Sequence, residues 1–505
     1  MTRALRAGLL GVTVLLCSAH VGSPDAWYDG PAGPYRVLVH VQAPPVIPGI
    51  AVVNVRPAES GLTRITAYVN RFDAQGSPPP PDSLEAVPAA PGWFRTRLWV
   101  MTAGSNAVTV ALDGPRGKGS VVVPLAAVAA RRLAFSPFLA ALLLAVGVIL
   151  ALGLFSIVGA AVRESALPPG AEPDARRRRR ARWAVVRAVL GVGAALTVWT
   201  LWWRAEDRRF VRNLFRPLAI ATRLETGLQP PRLRLTITDS AWIRRNDGAW
   251  LRARGLPEQL ALIEDHGKLV HLFLIASGGK AAFAHLHPFT SDSVSFEAAL
   301  PPLPEGSYFV FADVVLANGF TETLVATVVL PPNPSRIAGA AAVDLDNSWA
   351  VATPAAQGNR AVLEDGTTLT WLRSAEPLRS GSEAGLRFLV TAPPGRSAPP
   401  ELYMGMAGHA AVVRDDGSVF IHLHPLGTIS LAAQATLSAD PVPGAVNRAP
   451  RRPGQIMSHQ AVPGDTLYFP YAFPREGDYT VWVQLKRRGR ILTGAFPATV
   501  LPASR

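Results

Sequence analysis

The chain has 505 residues, a formal net charge of +14 and 49% hydrophobic residues, which leaves room for three or four domains and points to membrane segments. The single cysteine, Cys17, excludes an internal disulfide scaffold, and its expected loss with an amino-terminal signal leaves no thiolate metal ligand. The positive charge does not indicate nucleic acid, because the arginines gather beside two apolar runs, where they set membrane orientation and meet anionic headgroups.

The amino terminus reads as a secretory signal over 1–19: Arg3 and Arg6, an apolar stretch from Gly8 to Cys17, then Ser18-Ala19 as the cleavage point. Cleavage there makes His20 the new terminus, a minor copper-chelating option. Residues 34–128 follow as short alternating strands such as Tyr35-Arg-Val-Leu-Val-His-Val and Ile65-Thr-Ala-Tyr-Val, broken by Pro- and Gly-rich turns. That spacing predicts an exported immunoglobulin-like β-sandwich.

Residues 133–162 are uncharged, and residues 183–203 form a second apolar run interrupted by Arg187 and closed by Trp199, Trp202 and Trp203. Both are long enough to cross a bilayer. The loop 163–182 carries Arg176 to Arg180, which places it in the cytoplasm and both large flanking regions outside an inner membrane. Arg204, Arg208, Arg209 and Arg212 are a countersignal, outweighed by the export signal.

Two further β-sandwiches are expected, at 230–332 and 385–502. Each has a hairpin ending in His-Leu-His-Pro, a Pro-Gly corner and a closing strand pair, the mark of an internal duplication. The whole is therefore mainly β: three immunoglobulin-like or cupredoxin-like sandwiches and two transmembrane helices. Asp344 to Trp349 lacks the Gly and late Glu of a calcium loop and reads as a linker turn.

Eight of the ten histidines fall in the last 240 residues, around His285-Leu286-His287-Pro288 and His422-Leu423-His424-Pro425. On a strand, residues two apart share a face about 6–7 Å apart, so the two imidazoles of each tripeptide can meet one ion. Register supplies a third. Closing the second hairpin at Asp416-Gly417 sets His409 opposite His424, and a three-residue loop at Gly278-Gly279-Lys280 sets His271 opposite His287. The expected metal ligands are His271, His285 and His287 with Asp313 at the first site, and His409, His422 and His424 with Met457 or His459 at the second. All three methionines beyond residue 101, Met404, Met406 and Met457, flank the second site, and thioether with imidazole suits copper, while imidazoles alone also suit zinc. On an unbroken strand Met404 and Met406 face away from His409; a bulge at Gly405 or Gly408 would turn them in.

The segments Asp265-His-Gly-Lys-Leu-Val-His271, Tyr403-Met-Gly-Met-Ala-Gly-His409 and the two His-Leu-His-Pro runs resemble those of bacterial membrane proteins with tandem exported His-Leu-His-Pro domains, and more loosely YtkA-like and CopC-like copper-associated β-sandwiches. The resemblance covers most of 204–505. It implies copper handling in the envelope, with a copper-receiving or copper-exporting protein as partner, and carries over no activity. A cupin-like metalloenzyme is the rival, but the Glu that cupins place shortly after the second histidine is missing from Pro288-Phe-Thr-Ser-Asp292 and Pro425-Leu-Gly-Thr-Ile429. A non-metal scaffold whose histidines sense pH is the other alternative.

Overall fold

The computed structural model describes residues 25–503 except 73, 75–76, 130–134, 166, 169, 213, 229, 241, 244–261, 279–281, 291, 293, 333–343, 352–355, 396–398 and 439–463. Residues 1–24, with the expected signal sequence and His20, and residues 439–463, with Met457 and His459, lie outside the described residues. The chain divides into two compact units, one formed by 1–128 with 216–505 and one by 129–215.

The smaller unit holds the helices Pro137–Glu164 and Ala175–Arg212. Ser136 and Pro137 start the first, as an N-cap hydroxyl and a residue whose missing N–H is harmless in the first turn. At 28 and 38 residues they are about 42 and 57 Å long, against a hydrocarbon core of about 30 Å. Leu144, Ile149, Leu150, Leu190, Val198 and Trp203 stand exposed. Both helices are long and apolar enough to cross a membrane. The second extends beyond the expected 183–203 at each end, because arginines are good helix formers and the run Arg176 to Arg182 continues the helix rather than forming a loop.

Among the described residues the larger unit is mainly β and includes the short helix Leu431–Ser438. Three pairs of sheets each enclose an apolar core. In the first pair, the strands Ala26–Ala32, Tyr35–Gln42, Gly49–Pro57, Phe94–Val100 and Glu85–Ala86 face the sheet of Asp82–Ser83, Arg64–Arg71, Gly104–Gly114 and Gly117–Ala127. Alternation buries Val37, Val39, Val53, Val108, Val110 and Val123 between them. The strand Ala26–Ala32 begins before the expected start at 34.

In the second pair, Ile220–Glu225, Arg232–Ile237, Ser295–Ala299 and Phe289–Thr290 cover a sheet built from Leu262–Ile263, Gly306–Leu316, His271–Ala276, Ala282–Leu286 and Ser348–Val351, with Thr321–Leu330 also paired to Gly306–Leu316. In the third, Arg360–Val362, Thr368–Trp371, Leu386–Thr391 and Thr466–Phe469 cover Leu378–Arg379, Arg490–Leu501, Gly477–Arg487, His409–Arg414 and Phe420–Leu423. The supposed linker therefore supplies Ser348–Val351 as an edge strand, and the third pair draws strands from well before 385.

The two His hairpins have the register expected of them. Leu272 pairs with Leu286, which continues to His271 opposite His287, and Ala410 pairs with Leu423, which continues to His409 opposite His424. One face of each hairpin sheet lines its own sandwich core, through Leu272, Leu274, Ala284 and Leu286 in one and Ala410, Val412, Ile421 and Leu423 in the other. The other faces pack against each other. Phe273, Ile275, Phe283 and Phe311 meet Val413, Phe420 and Trp482 in a fourth apolar cluster. Burial of each large side chain is worth about 1.5–3 kcal/mol, which joins the duplicated halves through their equivalent sheets.

The join is close to a two-fold rotation. Phe311 stacks on Phe420 at 4.2 Å between centroids, and the counterpart pair Trp482 and Phe283 stacks at 5.0 Å. His271 and His287 lie 5.3 Å apart at 87°, while His409 and His424 lie 5.2 Å apart at 86°.

Candidate metal centre

The same alternation that turns Phe273, Phe283 and Phe420 into the join turns His271, His285, His287, His409, His422 and His424 into it as well, at the other end of the strands. The two sites expected in separate domains are thus one buried cluster: His271 lies 5.2 Å and His285 5.4 Å from His422, centroid to centroid. A seventh imidazole, His266, enters from a tight turn and sits 4.8 Å from His424 and 5.9 Å from His409. Its side chain is 1% exposed.

Two groups present ligand atoms within 4.8 Å of one another: His271, His285 and His287, and His266, His409 and His424. The first is the trio expected from the sequence. In the second, His266 takes the place expected for His422, which bridges towards the first group. His266 had only its clustering to mark it, since the hairpin argument runs along strands and His266 lies ahead of them, in a turn with φ of 54°.

Four of the rings are oriented by an acceptor outside the cluster, the arrangement typical of metal-ligating histidines. His271 Nε2 donates to the Asp265 carbonyl at 3.1 Å, His285 Nδ1 to Gln484 Oε1 at 3.0 Å, His287 Nδ1 to Asn347 Oδ1 at 3.1 Å and His424 Nδ1 to the Ile429 carbonyl at 3.3 Å. Those bonds leave the opposite nitrogens with lone pairs directed inward. His271 Nδ1 and His285 Nε2 then face each other at 3.2 Å. Two imidazole nitrogens at about 2.0 Å from a tetrahedral ion are separated by about 3.3 Å, so the spacing fits a shared cation. His287 Nε2, His422 Nε2, His424 Nε2 and both ring nitrogens of His266 and His409 are buried without a hydrogen-bond partner, and orphaned buried polar atoms on this scale call for an explanation.

Burial keeps the rings neutral. It lowers His266 and His271 to about 4 and holds His285, His409 and His422 well below the ordinary imidazole range, where neighbouring imidazoles add to the effect. Neutral imidazole is the ligating form. For Asp265, burial opposes ionisation, yet the facing imidazoles of His266, His424 and His271 and the N–H of Ala432 hold it below the usual carboxylate range.

Asp313 departs from expectation. It pairs with His271 across the sheet, but its carboxylate turns to the other half, 3.6 Å from His422 Nδ1, and accepts a hydrogen bond from Thr323. Burial pushes its carboxyl up to about 7. The rotation that relates the halves maps Asp313 to Gln484, and Gln484 in turn reaches His285. Each half thus supplies the group that holds the middle histidine of the other. Tyr403 and Asn347 complete the surround: the Tyr403 hydroxyl donates to the Asp346 carbonyl and lies 3.4 Å from His285 Nδ1. Lys268 pairs with Asp344 and Asp346, which keeps the turn bearing Asn347 against His287.

The first sandwich also contributes. Its Trp27 and Asp29 bind the loop that follows the second His-Leu-His, through Trp27 N to Thr428 Oγ1 at 2.9 Å and Asp29 N to the Leu426 carbonyl at 2.8 Å. His40, on that sandwich, stacks on Trp27 and bonds to Asp25, apart from the cluster.

A family described as Domain of unknown function (DUF8832) matches residues 360–501, the strands that carry the second hairpin. No curated protein matches the chain. Among solved structures, Escherichia coli alpha-2-macroglobulin activated by porcine elastase aligns at 11% identity over 93% of this chain and 33% of that one, with a TM-score of 0.13. The chain spans about a third of that protein's length, and a likeness so slight carries no argument.

Proposed function

We propose that this chain is a membrane-anchored protein of the bacterial envelope that binds copper at the join of its duplicated β-sandwiches, with zinc as the alternative metal. The observation that carries the reading is the 3.2 Å approach of His271 Nδ1 to His285 Nε2, set within seven buried imidazoles of which five have a ring nitrogen without a partner. A hydrogen bond between that pair would account for the 3.2 Å contact but would leave the orphaned nitrogens of His287, His409 and His424 unexplained. Because the rings are held neutral, a metal ion would meet ligands already in their binding form and displace few protons.

Copper is favoured over zinc by the methionines around the second hairpin and by the family resemblance. Two helices long enough to span a bilayer and the arginines at the start of the second support anchoring with the β domains outside the cytoplasm. Buffering or delivery to an envelope partner suits the arrangement better than catalysis, because the cluster is fully buried. The test is metal content and affinity of the detergent-solubilised full chain, with His271→Ala/His285→Ala and His409→Ala/His424→Ala variants. Binding of one or two copper ions, lost group by group, is expected; zinc bound in its place would reassign the metal, and no metal above background would reject the reading.

A further inference from the structure

Asp265-His266-Gly267-Lys268 and Tyr403-Met404-Gly405-Met406 are the same turn in the two halves. Each closes an isolated bridge, Asp265 with Lys268 and Tyr403 with Met406. Each has positive φ at both central residues, 54° and 76° in the first and 47° and 77° in the second, which is the two-residue turn that favours glycine at its second centre. Each lies just ahead of its hairpin's first histidine, at the same spacing. The bulge at Gly405 that would turn Met404 away from its strand parity is therefore present, as a tight turn.

Both turns reach across the join. Asp265 accepts from Ala432 N at 3.1 Å, and His266 lies against His424 of the opposite half. In the mirror arrangement, Tyr403 approaches His285 of the first half. The rotation that carries His424 to His287 and Gln484 to Asp313 carries His266 to Met404, and Met404 is buried. We infer that Met404 is the thioether ligand of the first group, joining His271, His285 and His287, in the place that His266 takes beside His409 and His424. The centre then has two unlike sites, each completed by the turn of the other half: one all imidazole, suited to Cu(II) or zinc, and one with sulfur, suited to Cu(I).

The inference rests on the copper reading, and one experiment separates them. The full chain in detergent is loaded with Cu(I) as its acetonitrile complex, titrated against a chromophoric Cu(I) chelator, and measured by X-ray absorption for copper–sulfur scattering. Met404→Leu, a nearly isosteric change, should weaken one Cu(I) at least tenfold and abolish the sulfur signal while leaving the other ion in place, whereas Met406→Leu should change neither. Copper bound by the wild type with no sulfur signal, or a signal that survives Met404→Leu, overturns the assignment of Met404 and leaves the copper reading standing. A wild-type chain that binds no copper overturns both.

Discussion

Gln484 Oε1 lies 3.0 Å from His285 Nδ1, although the two residues are 199 positions apart and belong to opposite halves of the duplication. The amide also binds Ser348 Oγ through Nε2 at 2.6 Å, so its orientation follows from the strand Ser348–Val351 at the edge of the first hairpin. The chain thus orients an imidazole of one half with a side chain of the other. Gln484→Leu keeps the volume and removes the acceptor. Loss of such an outer partner typically costs 10–100-fold in metal affinity. That weakening is expected at the group of His271, His285 and His287, with the other group changed far less, as read by competition with a metal chelator. Equal loss at both groups would mean that Gln484 acts through the join as a whole.

The neutral cluster makes stability depend on pH with a definite sign. His266 and His271 fall from 6.5 in the unfolded chain to about 4 in the folded one. As pH drops below 6.5 the unfolded state takes up protons that the native state refuses, so stability is lost progressively towards pH 4. At 1.36 kcal/mol per pKa unit each contributes a loss of about 3 kcal/mol. The metal-free protein should therefore show a clear fall in its denaturation midpoint between pH 7.5 and pH 5, and the loaded protein should keep its metal across that window and release it only towards pH 4, where His266 and His271 take up protons in the folded state. Asp313 works in the opposite direction: its carboxyl is raised to about 7, so it costs stability as pH rises from 4 through 7. Asp313→Asn should consequently be better tolerated at pH 8 than at pH 5. A midpoint that does not move between pH 7.5 and pH 5 would contradict the burial of the imidazoles.

The strands, the hairpin registers and the placement of His271, His285 and His287 on one face were legible because they follow from the period-two alternation and from turn residues such as Asp416 and Gly417. The meeting of the two hairpins was not. Phe273, Phe283, Phe420 and Trp482 have the pattern of strands with two apolar faces, which shows that both faces are buried but not what buries the second. For the same reason Asp313, which pairs with His271 across the sheet, gave no sign in the sequence that its carboxylate faces His422. His266 and Met404 escaped the strand argument because both sit in turns, where side-chain direction depends on backbone φ rather than on parity.

The aromatic join should behave as part of the metal centre. Phe420 is fully buried, stacked on Phe311 at 4.2 Å and 5.1 Å from Phe273. Truncating a buried Phe typically costs 3–5 kcal/mol. Phe420→Ala should lower stability by about that amount and weaken both metal groups together, since it loosens the sheets that position them. Thermal denaturation with and without copper checks it: bound metal should restore part of the lost midpoint, because a ligand that spans both halves favours the joined state. Restoration equal to that of an exposed control such as Val362→Ala would argue that the halves stay joined without the aromatic cluster.

Gly427 tests whether the first sandwich reaches the metal centre through the loop after the second His-Leu-His. Its φ is +120°, and a Cβ there would lie 2.0 Å from the carbonyl oxygen of Trp27, too close for backbone to tolerate. Two residues on, Ile429 packs into the core of the first sandwich and its carbonyl accepts from His424 Nδ1. Gly427→Ala should cost about 2–4 kcal/mol through this clash and its backbone strain. It should also free the loop to move and so weaken the group of His266, His409 and His424, while the group of His271, His285 and His287, held by Gln484 and Asn347, keeps its affinity. Limited proteolysis reports the first effect as faster cleavage between the first sandwich and the rest, and site-resolved metal competition reports the second. Loosened packing with unchanged affinity at both groups would show that the first sandwich braces the fold without tuning His424.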